Sequence, residues 1–312
     1  MDIISKVLPI IFLFLVGVFL NRSKFVRPET MQDIKKIVIN ISLPAVLFLV
    51  FSKVSLQPGY FLIVVIVFIG CILALVLGGY LRKVLGMPSP FFPALLTGFE
   101  AGMMGYAIFG TVYGMENLYK FGIADLGQAS FVFLVLVPML EQQAAGRAKK
   151  LLEIILTFFK SPIILAILLG IIASQSGFAV WMRNNSLTES ILKTLELLAA
   201  LTTPLIAMII GYEMRLHLKN LARPLETIIV RMLIWIPFGL LLNYFVVDHL
   251  LHLDRTFQAA IMTMMILPPP FVIPLFMNDN DKSGREYVVN TLSLATLITL
   301  ITFSIVSVVY HP

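Results

Sequence analysis

Apolar residues run along this chain in long blocks separated by short polar gaps. A helix needs about 20 such residues to cross the hydrocarbon core of a bilayer, and ten blocks approach that length. They run from Ile3 to Leu20, Ile37 to Val54, Tyr60 to Tyr80, Phe91 to Val112 and Gly122 to Leu140, and then, beyond a polar linker at 143–160, from Pro162 to Trp181, Leu195 to Tyr212, Thr227 to Val247, Phe257 to Met277 and Tyr287 to Tyr310. The pattern predicts an all-α polytopic membrane protein with two halves of five spans, 1–142 and 161–312. The first block is followed, not preceded, by its basic cluster (Arg22, Lys24, Arg27) and has no small-residue cleavage motif, so it reads as a span and not as a cleaved signal.

Composition agrees with the pattern. Of the 312 residues, 59% are apolar and 13% charged, against roughly half and a quarter in soluble domains. An ordinary soluble protein and a disordered one are both excluded. The one cysteine, Cys71, sits inside an apolar block, so a disulfide framework is excluded, and the four histidines show no ligand-like spacing. The net charge of +6 is a matter of topology. Of 23 basic residues, 17 fall in the gaps after odd-numbered spans, among them Lys35, Lys36, Arg82, Lys83, Arg147, Lys149, Lys150, Lys160, Arg215, Lys219, Arg223, Lys282, Arg285 and Arg231, which is counted with the gap before span eight. The N-terminus and the even gaps hold only Lys6, Lys53, Lys120, Arg183, Lys193 and Arg255. Positive residues are retained on the cytoplasmic side, so odd gaps face the cytoplasm and both termini face outward. No nucleic-acid partner is expected.

The halves carry a concealed repeat. Span two reads Asn40-Ile-Ser-Leu-Pro44-Ala-Val-Leu-Phe, and span seven reads Leu201-Thr-Thr-Pro204-Leu-Ile-Ala-Met. Each places a proline at mid-membrane just after small polar residues. Span four, from Phe92-Pro-Ala-Leu-Leu-Thr to Gly102-Met-Met-Gly105-Tyr106, matches span nine, from Phe257-Gln-Ala-Ala-Ile-Met to Pro268-Pro269-Pro270-Phe271. Five is odd, so the second half is inserted upside down, and such inverted repeats are characteristic of secondary transporters.

Spans four and nine bear the sharpest local signal. Three successive prolines remove three backbone donors and end any continuous helix, and Gly102 and Gly105 weaken the partner span. Broken backbone at bilayer depth must be buried in protein or line a watery cavity, and breaks in corresponding spans point to a binding site. Half-helix N-termini crossing there suit an anion. The candidate substrate-binding residues are Asn40, Gly102, Met103, Met104, Gly105, Tyr106, Pro268, Pro269, Pro270 and Phe271. Glu100 reads as the one carboxylate near the centre of a span, where ionised burial is costly. With Gln128, Ser130 and Asn290 it forms the set of ion-coupling candidates; Thr291, Ser293, Ser42, Thr202 and Thr203 are further polar groups near the breaks. The pairs Gly98/Gly102 and Gly110/Gly114 have the spacing of helix-packing glycines. There is no phosphate-binding loop, no zinc-helix motif and no nucleophile elbow, so neither an enzyme nor a cofactor or metal is expected.

The Asn-x-x-Leu-Pro-x-x-Leu-Phe stretch at Asn40 to Phe48, the break at Pro268 to Pro270 and the five-plus-five arrangement resemble the auxin efflux carrier family, which includes plant PIN proteins and bacterial permeases for malate and malonate. The resemblance spans essentially the whole chain and is that of the short, bacterial type. It implies the fold of bile-acid sodium symporters and sodium/proton antiporters, with crossed broken spans four and nine. It implies a scaffold domain of spans one, two, six and seven, a transport domain of spans three to five and eight to ten, elevator-like alternation, a homodimer and the bacterial cytoplasmic membrane. Family members commonly place an asparagine followed by glycine and proline in the span-four crossover. Here the stretch is Glu100-Ala-Gly-Met-Met-Gly-Tyr, so Glu100 is the candidate replacement, a change that favours a cation-coupled site or a cationic or neutral substrate. The expected function is secondary transport of a small organic acid anion, auxin-like or a dicarboxylate, with proton or sodium coupling. The alternatives are a sodium-coupled symporter of the bile-acid type and a ligand-binding membrane sensor.

Overall fold

The computed structural model describes residues 2–54, 57–145, 150–214, 221–278 and 281–311. Arg147, Lys149, Arg215 and Lys219, used above for orientation, lie outside the described residues, as does part of the linker. All regular structure among the described residues is helical.

Among the described residues, six helices are long and apolar enough to cross a membrane: Pro28–Phe51, Pro58–Val84, Met115–Ala144, Leu187–Glu213, Ala222–Leu250 and Lys282–Val309. They carry predicted spans two, three, five, seven, eight and ten. A seventh span results if Leu152–Phe159 and Pro162–Gln175 are taken together through their bend. The described part of the linker is therefore not simply polar, because Leu151–Phe159 is an apolar helix. The other three predicted blocks explain the difference from ten. Span one lies within helix Asp2–Arg22. Span nine is interrupted at the predicted prolines, whereas span four is interrupted at 96–100, just before Gly102 and Gly105, which lie in a helical turn. Span four divides into Phe92–Leu95, a non-helical passage and a π-helical turn at Ala101–Gly105 that leads into Tyr106–Tyr113. Span nine divides into Arg255–Met265 and the short turn Ile273–Phe276.

Helix starts follow local chemistry. Pro28, Pro58 and Pro162 open their helices, a position where a missing N–H costs nothing. Asp254, Asp281 and Asn185 cap theirs by accepting from the Phe257, Gly284 and Leu187 amides at 3.0, 2.9 and 3.1 Å. Gly98 and Gly114 do not act as packing-face glycines. Their φ angles of +64° and +89° place them in backbone turns that only glycine adopts without strain.

The chain divides into two compact units. One comprises Met1–Tyr60, Gly102–Gly122 and Phe159–Met214. Within it, helices Asp2–Arg22 and Thr202–Glu213 pack backbone to backbone. A Cβ on Gly17 would fall on the Met208 carbonyl, and one on Gly211 on the Phe14 carbonyl, the close approach that small residues permit in membrane interfaces. Tyr212 OH donates to the Val26 carbonyl at 2.9 Å and Lys35 pairs with Glu213 at 2.8 Å, fixing one end of that pair. The second unit comprises Phe61–Ala101, Ile123–Phe158 and Arg215–Pro312. There Gly127 lets its helix meet the Val64 carbonyl, and Gly70 admits the ring of Phe238.

Replacing Gly17 or Gly211 with leucine is expected to destabilise the protein by roughly 1–3 kcal/mol through overpacking. Gly79→Ala, where an added methyl meets nothing within 4 Å, is expected to leave stability unchanged or slightly raised. Melting temperatures of the purified variants in detergent check both.

Candidate functional site

The candidate site lies in the second unit, and backbone satisfaction explains its construction. Helix Arg255–Met265 ends just before the prolines at 268–270, and the carbonyls of Ile266, Leu267 and Pro268 lie beyond its last turn, outside the helical hydrogen-bond ladder. Each carbonyl receives a donor from a different element. Thr299 Oγ1 donates to the Ile266 carbonyl at 2.6 Å. Arg231 donates to the Leu267 carbonyl through Nε at 3.3 Å and Nη2 at 3.1 Å. The Glu100 amide donates to the Pro268 carbonyl at 2.9 Å.

The break in span four is served in the same way. Arg231 Nη1 reaches the Leu95 carbonyl at 3.2 Å, Arg231 Nη2 the Gly98 carbonyl at 2.5 Å, and Trp235 Nε1 the Leu96 carbonyl at 2.8 Å. The guanidinium lies over the Phe99 ring, 4.8 Å from its centroid, and Phe99 meets Trp235 edge-on at 4.6 Å, so aromatic rings shield the cation and add cation–π attraction. Gly98 is required on two grounds: its positive φ, and a Cβ there would come within 2.8 Å of Pro270 Cγ.

Donors at the breaks are held by side-chain acceptors. Phe271, the first residue after the prolines with an N–H, donates to Glu100 Oε2 at 2.6 Å. The Phe99 amide donates to Gln128 Oε1 at 3.1 Å, and Gln128 Nε2 donates to Asp125 Oδ1 at 2.9 Å. Thus the Glu100 carboxylate holds the Phe271 amide, and Asp125 acts through Gln128 on the neighbouring Phe99 amide.

Of the residues singled out from sequence, Glu100, Gln128, Pro268, Pro269, Pro270 and Phe271 come together here. Ser130 bonds its own helix at the Leu126 carbonyl, 2.6 Å away, and Asn290 is buried within Lys282–Val309. Asn40, Gly102, Met103, Met104, Gly105 and Tyr106 belong to the first unit. Asn40 is exposed there and donates to the Lys36 carbonyl on its own helix at 2.8 Å. At the two matching proline sites of that unit, Ser42 Oγ and Thr202 Oγ1 are buried without a hydrogen-bond partner among the described residues.

Four participants escaped the sequence reading. Asp125, 3% exposed, is a buried carboxylate that braces the Phe99 amide through Gln128; its place near the start of span five hid it. Arg231, also 3% exposed, had been assigned to a cytoplasmic gap; its position four residues inside predicted span eight was the available signal. Trp235 lies one helical turn beyond Arg231 on the same face, a spacing that pairs them. Thr299 is one of several hydroxyls in span ten, and nothing local distinguishes it from Thr296, which bonds its own helix at the Leu292 carbonyl.

The first unit contains a cavity of about 640 Å³ bordered by Leu49, Lys53, Gln57, Tyr60, Glu116, Tyr119 and Glu196. A neighbouring one of about 420 Å³ shares Leu49, Lys53 and Glu196 with it. Lys53, Glu116 and Glu196 line the larger cavity together with apolar side chains.

Thr299→Val is expected to cost roughly 1–3 kcal/mol, because it strands the buried Ile266 carbonyl. Thr296→Val removes a bond to a carbonyl already in a helix and is expected to cost well under that. Comparing melting temperatures of the two variants distinguishes a hydroxyl that closes the break from one that does not.

No protein-family model matches the chain. Over 215 residues it is 29% identical to a protein of Methanocaldococcus jannaschii described as an uncharacterized transporter, a match covering 67% of this chain and 68% of that protein. Taken with the apolar helices, this likeness indicates a multi-pass membrane protein and supports a membrane transporter.

Proposed function

We propose that the chain is a secondary transporter of a small organic acid anion, of the auxin efflux carrier type, with ten spans in two inverted halves, crossed broken spans four and nine, and elevator-like alternation. On this reading it is a homodimer of the bacterial cytoplasmic membrane with both termini outside. The observation that carries the reading is the hydrogen bond from the Phe271 amide to Glu100 Oε2, made directly after three prolines that offer no donor of their own.

The chemistry follows from that bond. An ionised carboxylate accepts from an amide about twice as strongly as a neutral group does. While Glu100 is ionised, the Phe271 amide is occupied. Protonation of Glu100 weakens its hold, and the carboxylate of a substrate then takes the amide in its place. One proton accompanies one anion, so the pair enters the crossing without adding net charge, which lowers the cost of bringing an anion to bilayer depth. Gln128, anchored to Asp125, keeps the Phe99 amide and hence the Glu100 backbone in register during the exchange.

Uptake of small carboxylates into proteoliposomes is expected to rise as external pH falls. In Glu100→Gln, which is isosteric and does not titrate, uptake is expected to lose this pH dependence. A pH profile identical to that of the parent protein would remove Glu100 from coupling. Silence across a panel of auxin-like and dicarboxylate substrates, from protein shown to be folded, would overturn the organic-acid assignment and bring forward a cationic substrate or a sensor.

A further inference from the structure

We propose that the Arg231 guanidinium is a tethered cation that fills the carbonyl cluster between the two breaks, so that this crossing takes no free metal cation and the transport cycle runs without sodium. The coupling half of this inference rests on the transporter reading above; the occupancy half does not.

The Leu95 carbonyl closes the short helix Phe92–Leu95, and the Gly98 and Leu267 carbonyls lie in the non-helical passages of the two breaks, so none is paired within a helix. In broken membrane spans such carbonyls are ligands for sodium. Here all three accept from one guanidinium at 2.5–3.3 Å. Arginine fits this task because its planar fork presents five donors in fixed directions and stays protonated. The side chain is 3% exposed and spends its fork on backbone oxygens alone. A sodium ion approaching the same oxygens would have to displace a fixed like charge in a setting of low dielectric, where repulsion is strong.

The cluster also joins the carboxylate side of the crossing. The Leu267 carbonyl, held by Arg231, precedes the Pro268 carbonyl, held by the Glu100 amide. Arg231 and the Glu100 amide thus hold adjacent carbonyls of one backbone, and the Glu100 carboxylate accepts from the Phe271 amide a few residues on. The reading of a sodium-coupled symporter would need these oxygens free, and the geometry places them on Arg231.

The test uses the full-length purified protein in detergent, with melting temperatures recorded in sodium, choline and guanidinium chloride at equal ionic strength. The parent protein is expected to melt at the same temperature in sodium and choline. Arg231→Ala is expected to melt roughly 10 °C lower and to recover part of that loss, saturably, on addition of millimolar guanidinium, which the parent protein does not show. If Arg231→Ala does not fold, Arg231→Lys serves. A lysine offers a point charge that cannot reach all three carbonyls, so a lowered melting temperature is expected, and parental stability would overturn the assignment. Saturable stabilisation of the parent by sodium would also overturn it, as would an Arg231→Ala protein indifferent to every cation. In proteoliposomes, replacing sodium with choline is expected to leave carboxylate uptake unchanged, and a loss of ten-fold or more would overturn the coupling half. Absent uptake together with the expected melting behaviour would sink the transporter reading and leave the cation assignment standing.

Discussion

Backbone polar groups released at bilayer depth must find partners inside the protein, and the architecture of the second unit depends on that demand. A soluble protein hands the orphan groups of a broken helix to water. Here the carbonyls at residues 95, 96, 98, 266, 267 and 268 each have a protein donor. Those donors come from the Ala222–Leu242 and Lys282–Val309 helices and from the span-four break itself. An unmet group of this kind costs several kcal/mol in an apolar medium. Two breaks are therefore tolerable only together, each supplying part of what the other lacks.

That mutual dependence explains why the polar residues have such different surroundings. Glu100 and Gln128 answer amide donors, and Arg231, Trp235 and Thr299 answer carbonyls. Glu100 does both, since its amide donates across the crossing while its carboxylate accepts in return. A residue with reciprocal bonds to one short segment can release one bond while the other keeps the segments aligned. That is what an exchange of ligand for side chain requires.

Part of this was legible in the chain. The triple proline and the intramembrane glutamate violate local rules for a membrane helix, and both lie at the break, whereas Gly102 and Gly105 fall in the first unit. Gly98 was noticed for the wrong reason, because a spacing rule cannot tell a packing glycine from one held at positive φ. The breaks in spans four and nine were legible only from their prolines and glycines, since hydropathy averages over a window and does not register whether the backbone inside it is continuous. The linker was misread because attention fell on its basic residues, whereas Leu151–Phe159 is apolar. Arg231 was misread since counting positive charges assigns every arginine to a loop, and the carbonyls that hold it lie 36 to 136 positions away along the chain. Site residues split between two units for a further reason: adjacency in sequence through residues 101 and 102 does not oblige them to share a packing neighbourhood.

The grip of Arg231 on main-chain oxygens has an evolutionary consequence. Leucine at positions 95 and 267 contributes a carbonyl that any other amino acid also possesses, so those positions are free to drift so long as their side chains pack. The arginine itself has no such freedom. A contact of this type leaves one invariant position and no partner that changes in step with it. Methods that infer proximity from paired substitutions would therefore pass over the bond network that holds the crossing closed.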